Sequence, residues 1–422
     1  MTSDRKTCED GFVMTRQPVF DRRLQPWGTA MCFAQSAAEE PLFGDETTAS
    51  ILLEAYLPQR NPVREPTIVY FPAPAILDGM PRLLWPQDLL VEVDGTAGGT
   101  PRLTEAVAEM KKAGYGIAVN GFHNNGIESA LLRLADVIIV DAAQAGGEGV
   151  RLDLPDLVKA AQQTGAKALV SGLDDWETML HAREANADMF QGFFFNRMNL
   201  RPSTKSITAS QLSRLRLLEC MAKPDPDFKT LVRVVEADAA LVYRLLVFIN
   251  SAGFGLGRKV DSIQQAVVLA GWKPLQKWLE IILLSDLSPT PRHQELCYYA
   301  AQRAGFLRRV AKAAGKDGLV PGLSLLGLLS YLEAILEMPP VQALADVPLA
   351  DDIRLALCGR RSPFSPWLAL VRAMEKAEWD AATRLGQSIK LCMADLSRCY
   401  RESFVEADSL FRAMSSPVPA AA

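Results

Sequence analysis

The sequence predicts two folds in one chain, an α/β barrel followed by an all-α domain. From Phe12 to about Leu200, short apolar runs typical of strands alternate with helical patterns. Repeated β-then-α order implies a parallel sheet, and this many units implies closure into a TIM-like barrel. From Gln211 to Met414 no strand pattern is found, and amphipathic helices follow one another. We therefore predict a barrel domain over residues 1–203, a helical domain over 204–415 and a disordered tail over 416–422.

The clearest part of the barrel runs from Gly114 to Asp141. Two apolar runs, Ile117–Val119 and Val137–Val140, flank a short helical pattern, and short runs bounded by turn residues suit strands that are buried on both faces. In an α/β barrel the functional residues lie where the parallel strands end. The residues at those ends, Asn120-Gly121 and Asp141 here, therefore decide what the barrel can do.

Other elements follow from the same patterns. Two short strands open the chain around a polar turn at residues 21–23, and a last apolar run extends from Met189 to Phe195. Between them we predict helices over residues 49–57, 104–113, 157–164 and 176–185 and strands over 67–71, 89–93 and 168–170. In the second half we predict helices over 238–251, 263–270, 275–284 and 323–336, the last as an apolar core helix.

Composition excludes several classes of function. A net charge of -4 gives no basic footprint for nucleic acid, and no apolar segment is long enough for export or membrane insertion, so a cytoplasmic protein is expected. The seven cysteines are scattered without a CxxC pair, which favours reduced thiols. Only three histidines occur, and none has a second ligand type at metal spacing, so we expect neither a metal nor another cofactor.

Several ordered motifs together resemble a known family. The opening FVMTRQPVFDRRLQPWG (12–28) and the run FQGFFF (190–195) are similar to the first and last strands of EAL domains. In the second half, DAALVYRLLVFINSAGFG (238–255), GLLS (327–330) and EKAEW (375–379) look like HDOD motifs. The chain thus resembles bacterial signalling proteins in which an EAL domain, a barrel related to cyclic di-GMP phosphodiesterases, is fused to an HDOD domain.

The resemblance implies which positions an active EAL site would use. Cleavage of a phosphodiester needs two divalent ions held by oxygen ligands, a base for the attacking water and a cation near the phosphate. The family's metal-binding glutamate falls on Ala30, its arginine on Ala34 and its asparagine on Tyr70. The paired aspartates fall on Asn120 and Gly121, the lysine on Ile139, the base glutamate on Ser171 and the loop glutamate on Asp174, whereas Glu92, Asp141 and Gln191 are unchanged.

We predict on this basis that the barrel is not a phosphodiesterase. One surviving metal-ligand carboxylate cannot hold two Mg²⁺ ions, and loss of the base alone costs on the order of 10²-fold in rate. The residues left form a vestigial pocket, in which Glu92 and Asp141 are interpreted as carboxylates bonded to nearby backbone and Gln191 can still face a ligand. The pocket comprises Glu92, Asn120, Asp141, Asp174 and Gln191; His123, just beyond it, has no partner ligand.

The helical half lacks the His-Asp pair of the related HD phosphohydrolases, because its one histidine, His293, precedes Gln294. The most distinctive loop of this half covers residues 250–255. We interpret it as a glycine-rich helix C-terminus, and the alternative interpretation is a contact site for a partner. The contact residues would be Asn250, Ser251, Gly253 and Phe254.

The leading hypothesis is a non-enzymatic signalling protein that acts through protein contacts in a cyclic di-GMP-related pathway. The alternative is a receptor that binds a cyclic dinucleotide weakly without cleaving it. A hydrolase with other catalytic residues is a third hypothesis, and no nucleophile-base pair in the sequence supports it.

Overall fold

The first half of the chain folds into a closed eight-stranded barrel. The computed structural model describes residues 13–34, 66–95, 100–121, 130–143, 153–197, 206–223, 235, 239–250, 263–288, 290–347 and 349–415. The strands close in chain order; β1 is antiparallel to β2 and β8, and the other neighbours are parallel. They are β1 (Val13–Asp21), β2 (Pro26–Ala34), β3 (Thr67–Tyr70), β4 (Leu89–Asp94), β5 (Gly116–Asn120), β6 (Val137–Asp141), β7 (Lys167–Ser171) and β8 (Met189–Gln191).

The predicted α/β barrel is therefore confirmed, and its opening hairpin is longer than predicted. Each strand of the pair has nine residues, joined by a turn in which the Asp21 carboxylate accepts the backbone N–H groups of Arg23 and Gln25, both at 2.8 Å. Polar side chains such as Thr15 and Gln17 interrupt the apolar pattern of β1, which is why the sequence predicted only three strand residues there.

Apolar side chains from alternate positions along the strands fill the inside of the barrel. This set comprises Val19, Ala30, Ile68, Ala118, Val137, Ile139, Leu169 and Met189. Because side chains alternate between the faces of a strand, residues two or four positions along from these also point inward. The carboxyl ends of β2 to β8 lie at one end of the barrel, which we call the mouth.

Three of the four described helices of the barrel half were predicted, and the helix at Ala73–Leu77 was not. The four helices are α1 (Ala73–Leu77), α2 (Pro101–Lys112), α3 (Leu154–Gln163) and α4 (Trp176–Glu184), with short 3-10 helices at Met80–Leu83 and Leu132–Leu134. The predicted helix over 49–57 lies outside the described residues, as does most of the connection between β5 and β6.

The last apolar run is not one strand to Phe195. Strand β8 ends at Gln191, and a 3-10 helix follows at Phe194–Arg197. Gly192 causes the break, since its φ is +139° and a Cβ there would lie 2.3 Å from the carbonyl oxygen of Leu173. The aromatic rings of Phe194 and Phe195 then pack edge-on against Phe20, at 5.5 and 5.1 Å between centroids.

The second half is helical, as predicted. Its helices are α5 (Ala209–Met221), α6 (Ala239–Ile249), α7 (Ile263–Ala270), α8 (Trp272–Ser285), α9 (Pro291–Ala313), α10 (Val320–Leu329), α11 (Leu332–Leu336), α12 (Pro340–Ala343), α13 (Asp351–Leu357), α14 (Ser365–Glu375), α15 (Trp379–Ser388) and α16 (Met393–Ser415). Gly271 ends α7 as expected, with φ at +79°.

The apolar segment 323–336 is not a single helix. It is divided at Ser330 and Tyr331 into α10 and α11. Within the described residues, Asp317–Leu336 is the one stretch apolar enough to cross a membrane by length and composition, and 61% of its most apolar window is buried. A core position, as predicted, accounts for its composition.

Two compact units divide the chain near the predicted boundary, but one of them is discontinuous. The barrel unit comprises Met1–Asn199 and Arg372–Arg398, and the helical unit comprises Leu200–Val371 and Cys399–Ala422. The sequence prediction placed all of residues 204–415 in one helical domain, so it differs for 372–398. The predicted tail, 416–422, lies outside the described residues.

Close packing inside the helical unit depends on Gly327. A Cβ there would lie 2.5 Å from the backbone nitrogen of Ala304 on α9, so only glycine allows α9 and α10 to approach this closely. Next to this contact the fully buried Arg303 donates to the Ser330 hydroxyl at 2.8 Å and lies 3.8 Å from the ring centroid of Tyr331.

A charge cluster joins α8, α9 and α16 in the same unit. The Glu406 carboxylate contacts Lys277 at 2.5 Å, Arg308 at 2.6 Å and Arg309. Burial alone would raise the pKa of Glu406, but these three cations lower it to about 2. The cluster thus keeps a buried carboxylate ionised at neutral pH.

One cysteine differs from the expectation of reduced thiols. Cys220, Cys297, Cys358 and Cys399 are free thiols, as expected, whereas Cys392 is disulfide-bonded. The spacing of cysteines in sequence excludes a CxxC pair but says nothing about pairing between distant segments.

Candidate functional site

The candidate site is the mouth of the barrel, where the register brings the predicted residues together. Tyr70 pairs with Glu92, Asp94 with Asn120, and Asp141 with Ser171. On the same strands, Ile68, Ala118, Ile139 and Leu169 face the inside of the barrel. Side chains two positions further along a strand face the same side, so Tyr70, Asn120, Asp141 and Ser171 also point inward.

Glu92 and Asn120 form the centre of one side of the mouth. The Asn120 amide Nδ2 donates to Glu92 Oε1 at 2.5 Å. Burial raises the pKa of Glu92 to about 7, with Asp94 adding to the rise and the Asn120 hydrogen bond opposing it. Burial, Asp94 and Glu92 also raise the pKa of Tyr70. The Glu92 carboxyl therefore keeps its proton to a higher pH than an ordinary glutamate.

Asp141 has a local structural contact. Its Oδ1 accepts the backbone N–H of Ala143 at 2.9 Å, two residues further along the chain. Gly172, at the end of β7, has φ at +71°, and a Cβ there would lie 3.0 Å from the same carboxylate oxygen. The carboxylate thus lies against the β7 turn.

On the opposite side, Gln191 starts a chain of hydrogen bonds. Its Nε2 donates to Gln17 Oε1 at 2.9 Å, and Gln17 Nε2 donates in turn to the backbone carbonyl of Glu375 at 3.1 Å. The Thr15 hydroxyl donates to the same carbonyl at 3.4 Å. Thr15 and Gln17 precede inward-facing Val19 by four and two residues, so both point into the barrel. The end of α14 therefore lies at the inner wall of the mouth.

The end of α14 has a defined geometry. The N–H of Ala377 bonds to the carbonyl of Met374 and the N–H of Glu378 to that of Ala373, and Ala377 has φ at +58°. This is a Schellman motif, which satisfies the carbonyls of Ala373 and Met374. The carbonyl of Glu375, the next one in the last turn, accepts hydrogen bonds from Thr15 and Gln17 of the barrel.

A salt bridge holds the same turn at the rim. Lys376 Nζ lies 2.8 Å from Asp174 Oδ2, with the lysine side chain 19% exposed and the aspartate 50% exposed. Asp174 is thus placed at the mouth, as its predicted role in the pocket requires, but its contact is an ammonium group of this chain.

The remaining predicted residues have varied positions. Ala30 and Ile139 are buried in the barrel core, and Gly121 has φ at +64° directly after β5. Asn250 is exposed at the end of α6, and its side chain caps the helix by donating to the Leu246 carbonyl at 2.7 Å. The rest of that loop (Ser251, Gly253 and Phe254), His123 and the side chain of Ala34 lie outside the described residues.

The sequence interpretation missed four residues of the mouth, namely Thr15, Gln17, Glu375 and Lys376. A period-two pattern that ends in Val19 was the available signal for the first two. No local signal identifies the other two, because they reach the barrel from a segment that is distant in sequence.

Two divalent ions do not fit the described residues of the mouth. Glu92 accepts a hydrogen bond from the Asn120 amide and has a raised pKa, and Asp141 accepts a backbone N–H. Among the residues that the structure describes, no group of three His, Cys, Asp or Glu side chains is arranged to hold a metal ion. Hard divalent cations require several converging anionic oxygens, and the described carboxylates of the mouth, Glu92, Asp94 and Asp141, are not grouped in that way.

His293 has no metal-ligand surroundings either. Its Nδ1 is hydrogen-bonded to the hydroxyls of Ser288 and Thr290, the latter at 2.8 Å, and its Nε2 lies 3.2 Å from Arg292. Burial first, and Arg292 second, lower the pKa of His293. The lowered pKa favours the neutral form of His293 at the start of α9.

Comparisons with known proteins agree with the architecture. The family profile of the HDOD domain matches residues 211–335, so the predicted HDOD domain is confirmed. The chain is 25% identical over 408 residues to the uncharacterized protein YuxH of Bacillus subtilis, covering 92% of this chain and 96% of that one. It is 27% identical over 376 residues to a Vibrio cholerae protein named cyclic di-GMP phosphodiesterase CdgJ, covering 87% and 85%.

A solved structure of an EAL domain protein from Listeria monocytogenes is also similar. It is 19% identical, with a TM-score of 0.34, and the match covers 44% of this chain and 87% of that one.

Proposed function

We propose that this chain, which carries an HDOD domain behind a closed eight-stranded barrel of the EAL type, is a non-enzymatic regulator in a cyclic di-GMP-related pathway. It would act through contacts with a protein partner. The link to cyclic di-GMP rests on the resemblance in sequence and on a relative named as a cyclic di-GMP phosphodiesterase.

The observation that carries the proposal is the chemistry of the strand ends. Where a two-metal site needs converging carboxylates, this barrel has Ala30, Tyr70 and Asn120, and its remaining Glu92 is paired with an amide. A base for the attacking water is absent from the end of β7, where Ser171 stands. Without the ions and the base, both the electrostatic and the proton-transfer contributions to phosphodiester cleavage are lost.

The experiment is a turnover assay of the full chain. Purified protein is incubated with cyclic di-GMP and either Mg²⁺ or Mn²⁺, and linear product is measured, with CdgJ as the positive control. We expect no metal-dependent product above a blank without protein. Metal-dependent turnover by this chain would contradict the proposal.

The alternative function is a receptor that binds a cyclic dinucleotide without cleaving it. Neutral donors at the mouth favour it, namely the amides of Asn120, Gln17 and Gln191, and a protonated Glu92 would add another. Against it, Lys376 is already paired with Asp174. A calorimetric titration separates the two functions, since a Kd below about 10 μM, about -7 kcal/mol, would favour the receptor.

A further inference from the structure

The mouth of the barrel already has an occupant from the same chain. The last carbonyl of α14 and the Lys376 ammonium reach the mouth within the barrel unit, which includes residues 372–398. We propose that the mouth is the docking site of this helix end, residues 375–377, and that a nucleotide could enter only by displacing it. The inference rests on the proposed function and gives a physical reason for it.

The first support is hydrogen-bond complementarity. A helix end leaves carbonyls that need donors from elsewhere, and the partial negative charge of the helix dipole is concentrated there. Two inward-facing donors of β1, the Thr15 hydroxyl and the Gln17 amide, bind the Glu375 carbonyl, which the two hydrogen bonds of the Schellman motif do not use. Gln191 bonds to the oxygen of the Gln17 amide and thereby directs its nitrogen toward Glu375.

Burial gives the second support. Glu375 is fully buried although it is a charged residue type at the end of a helix, and Thr15 is fully buried opposite it. Buried polar groups of this kind are retained where they are hydrogen-bonded. The end of α14 is therefore an integral part of the wall of the mouth.

Competition follows from the same contacts. A phosphate or base edge that approached this side of the mouth would need the Gln17 and Thr15 donors that the Glu375 carbonyl now uses. A cyclic dinucleotide also carries two negative charges. Lys376, a cation at this rim, already forms a salt bridge with Asp174 and would have to leave it to bind a phosphate. Nucleotide and helix end thus exclude each other.

The test is hydrogen exchange of the full chain, followed by mass spectrometry. In the variant Thr15→Val/Gln17→Leu, which keeps volume but removes both donors, the amides of residues 376–378 are expected to exchange about tenfold faster. The control is Gln162→Leu, which removes two amide hydrogen bonds elsewhere in the barrel unit, from Nε2 to the Asn186 carbonyl at 3.0 Å and to Asp188 Oδ2 at 2.9 Å. It is expected to leave exchange at 376–378 unchanged.

A second, single variant tests the same contact if the double variant does not fold. Lys376→Met removes only the rim salt bridge and is expected to raise exchange at the same amides about twofold. Unchanged exchange in the folded variants would overturn the docked helix end, whatever the turnover assay gives.

A titration with cyclic di-GMP supplies the last outcome. Binding by the unaltered chain with a Kd below about 10 μM, while residues 376–378 stay protected, would overturn the exclusion of the nucleotide. Turnover with faster exchange at 376–378 would contradict the proposed function but support displacement of the helix end.

Discussion

Asn120 donates its side-chain N–H to Glu92 across the ends of two neighbouring strands, at 2.5 Å. An amide-carboxyl pair of this kind needs no cation between its members. The titration of Glu92 in this pair can be measured.

Glu92→Gln is expected to stabilise the chain at pH 8 and to have little effect at pH 5. The folded pKa of Glu92 is about 7, above the ordinary value of 4.5, so the folded state loses stability as pH rises from about 4.5 to 7. The neutral glutamine avoids that loss, which amounts to about 3 kcal/mol above pH 7. Urea unfolding at both pH values measures it.

The exposed Glu109→Gln, which loses a surface contact with Arg82, is the control and should change stability little at either pH. An equal effect of Glu92→Gln at the two pH values would show that Glu92 titrates normally.

The Lys376–Asp174 contact is expected to have a small coupling energy. Because half of the aspartate side chain is exposed, a double-mutant cycle of Lys376→Ala and Asp174→Ala should give about 0.5 kcal/mol, decreasing with salt. The free energy of unfolding of the four chains is the measurement. A coupling that persists unchanged in 1 M salt would disagree with a rim position for this pair.

Glu406→Gln is expected to destabilise the chain by about 3 kcal/mol at pH 7 and by much less at pH 3. The folded pKa is near 2, below the ordinary 4.5, so the stabilisation is present above pH 4.5 and is lost as pH falls toward 2. Urea unfolding at the two pH values tests this.

Glu402→Gln is the matched control, because Glu402 lies one turn earlier on α16 and pairs with the same Arg309 but is 57% exposed. Its effect should stay below about 1 kcal/mol. Similar losses for both variants would mean that burial does not distinguish the two carboxylates.

Gly327→Ala is expected to cost about 2 kcal/mol or more, because the added methyl would force α9 and α10 apart. Gly318→Ala is the control, since a Cβ at that glycine meets nothing within 4 Å. Thermal unfolding compares the two variants. A neutral Gly327→Ala would show that the helix pair can separate without loss.

The barrel could be predicted from sequence where its strands are fully apolar, as in Val137–Asp141, since such runs leave few alternatives. The hairpin of β1 was underestimated because its inward-facing residues Thr15 and Gln17 are polar, and polar inward residues are needed where a strand reaches a mouth. Ser330 and Tyr331, which divide an apolar segment, have no strong breaking propensity; their break depends on packing against Arg303.

The residues of the candidate site were predicted only where they follow barrel strands. Asp174 and Gln191 lie at the mouth, but their contacts there, Lys376 and Gln17, were not foreseen. Pairings across nearly 200 residues of sequence leave no periodic trace. They are visible only when the fold has brought the segments together.

The discontinuous barrel unit has a consequence for anyone who edits this gene. A stop codon after residue 203, or a chimaera that exchanges residues 1–203 for another barrel, removes or mismatches the contacts that residues 372–398 make with Thr15, Gln17 and Asp174. The coding sequence for residues 1–203 therefore cannot be exchanged independently of the part that encodes residues 372–398. A recombinant barrel fragment retains its own wall only if the distant segment is supplied with it.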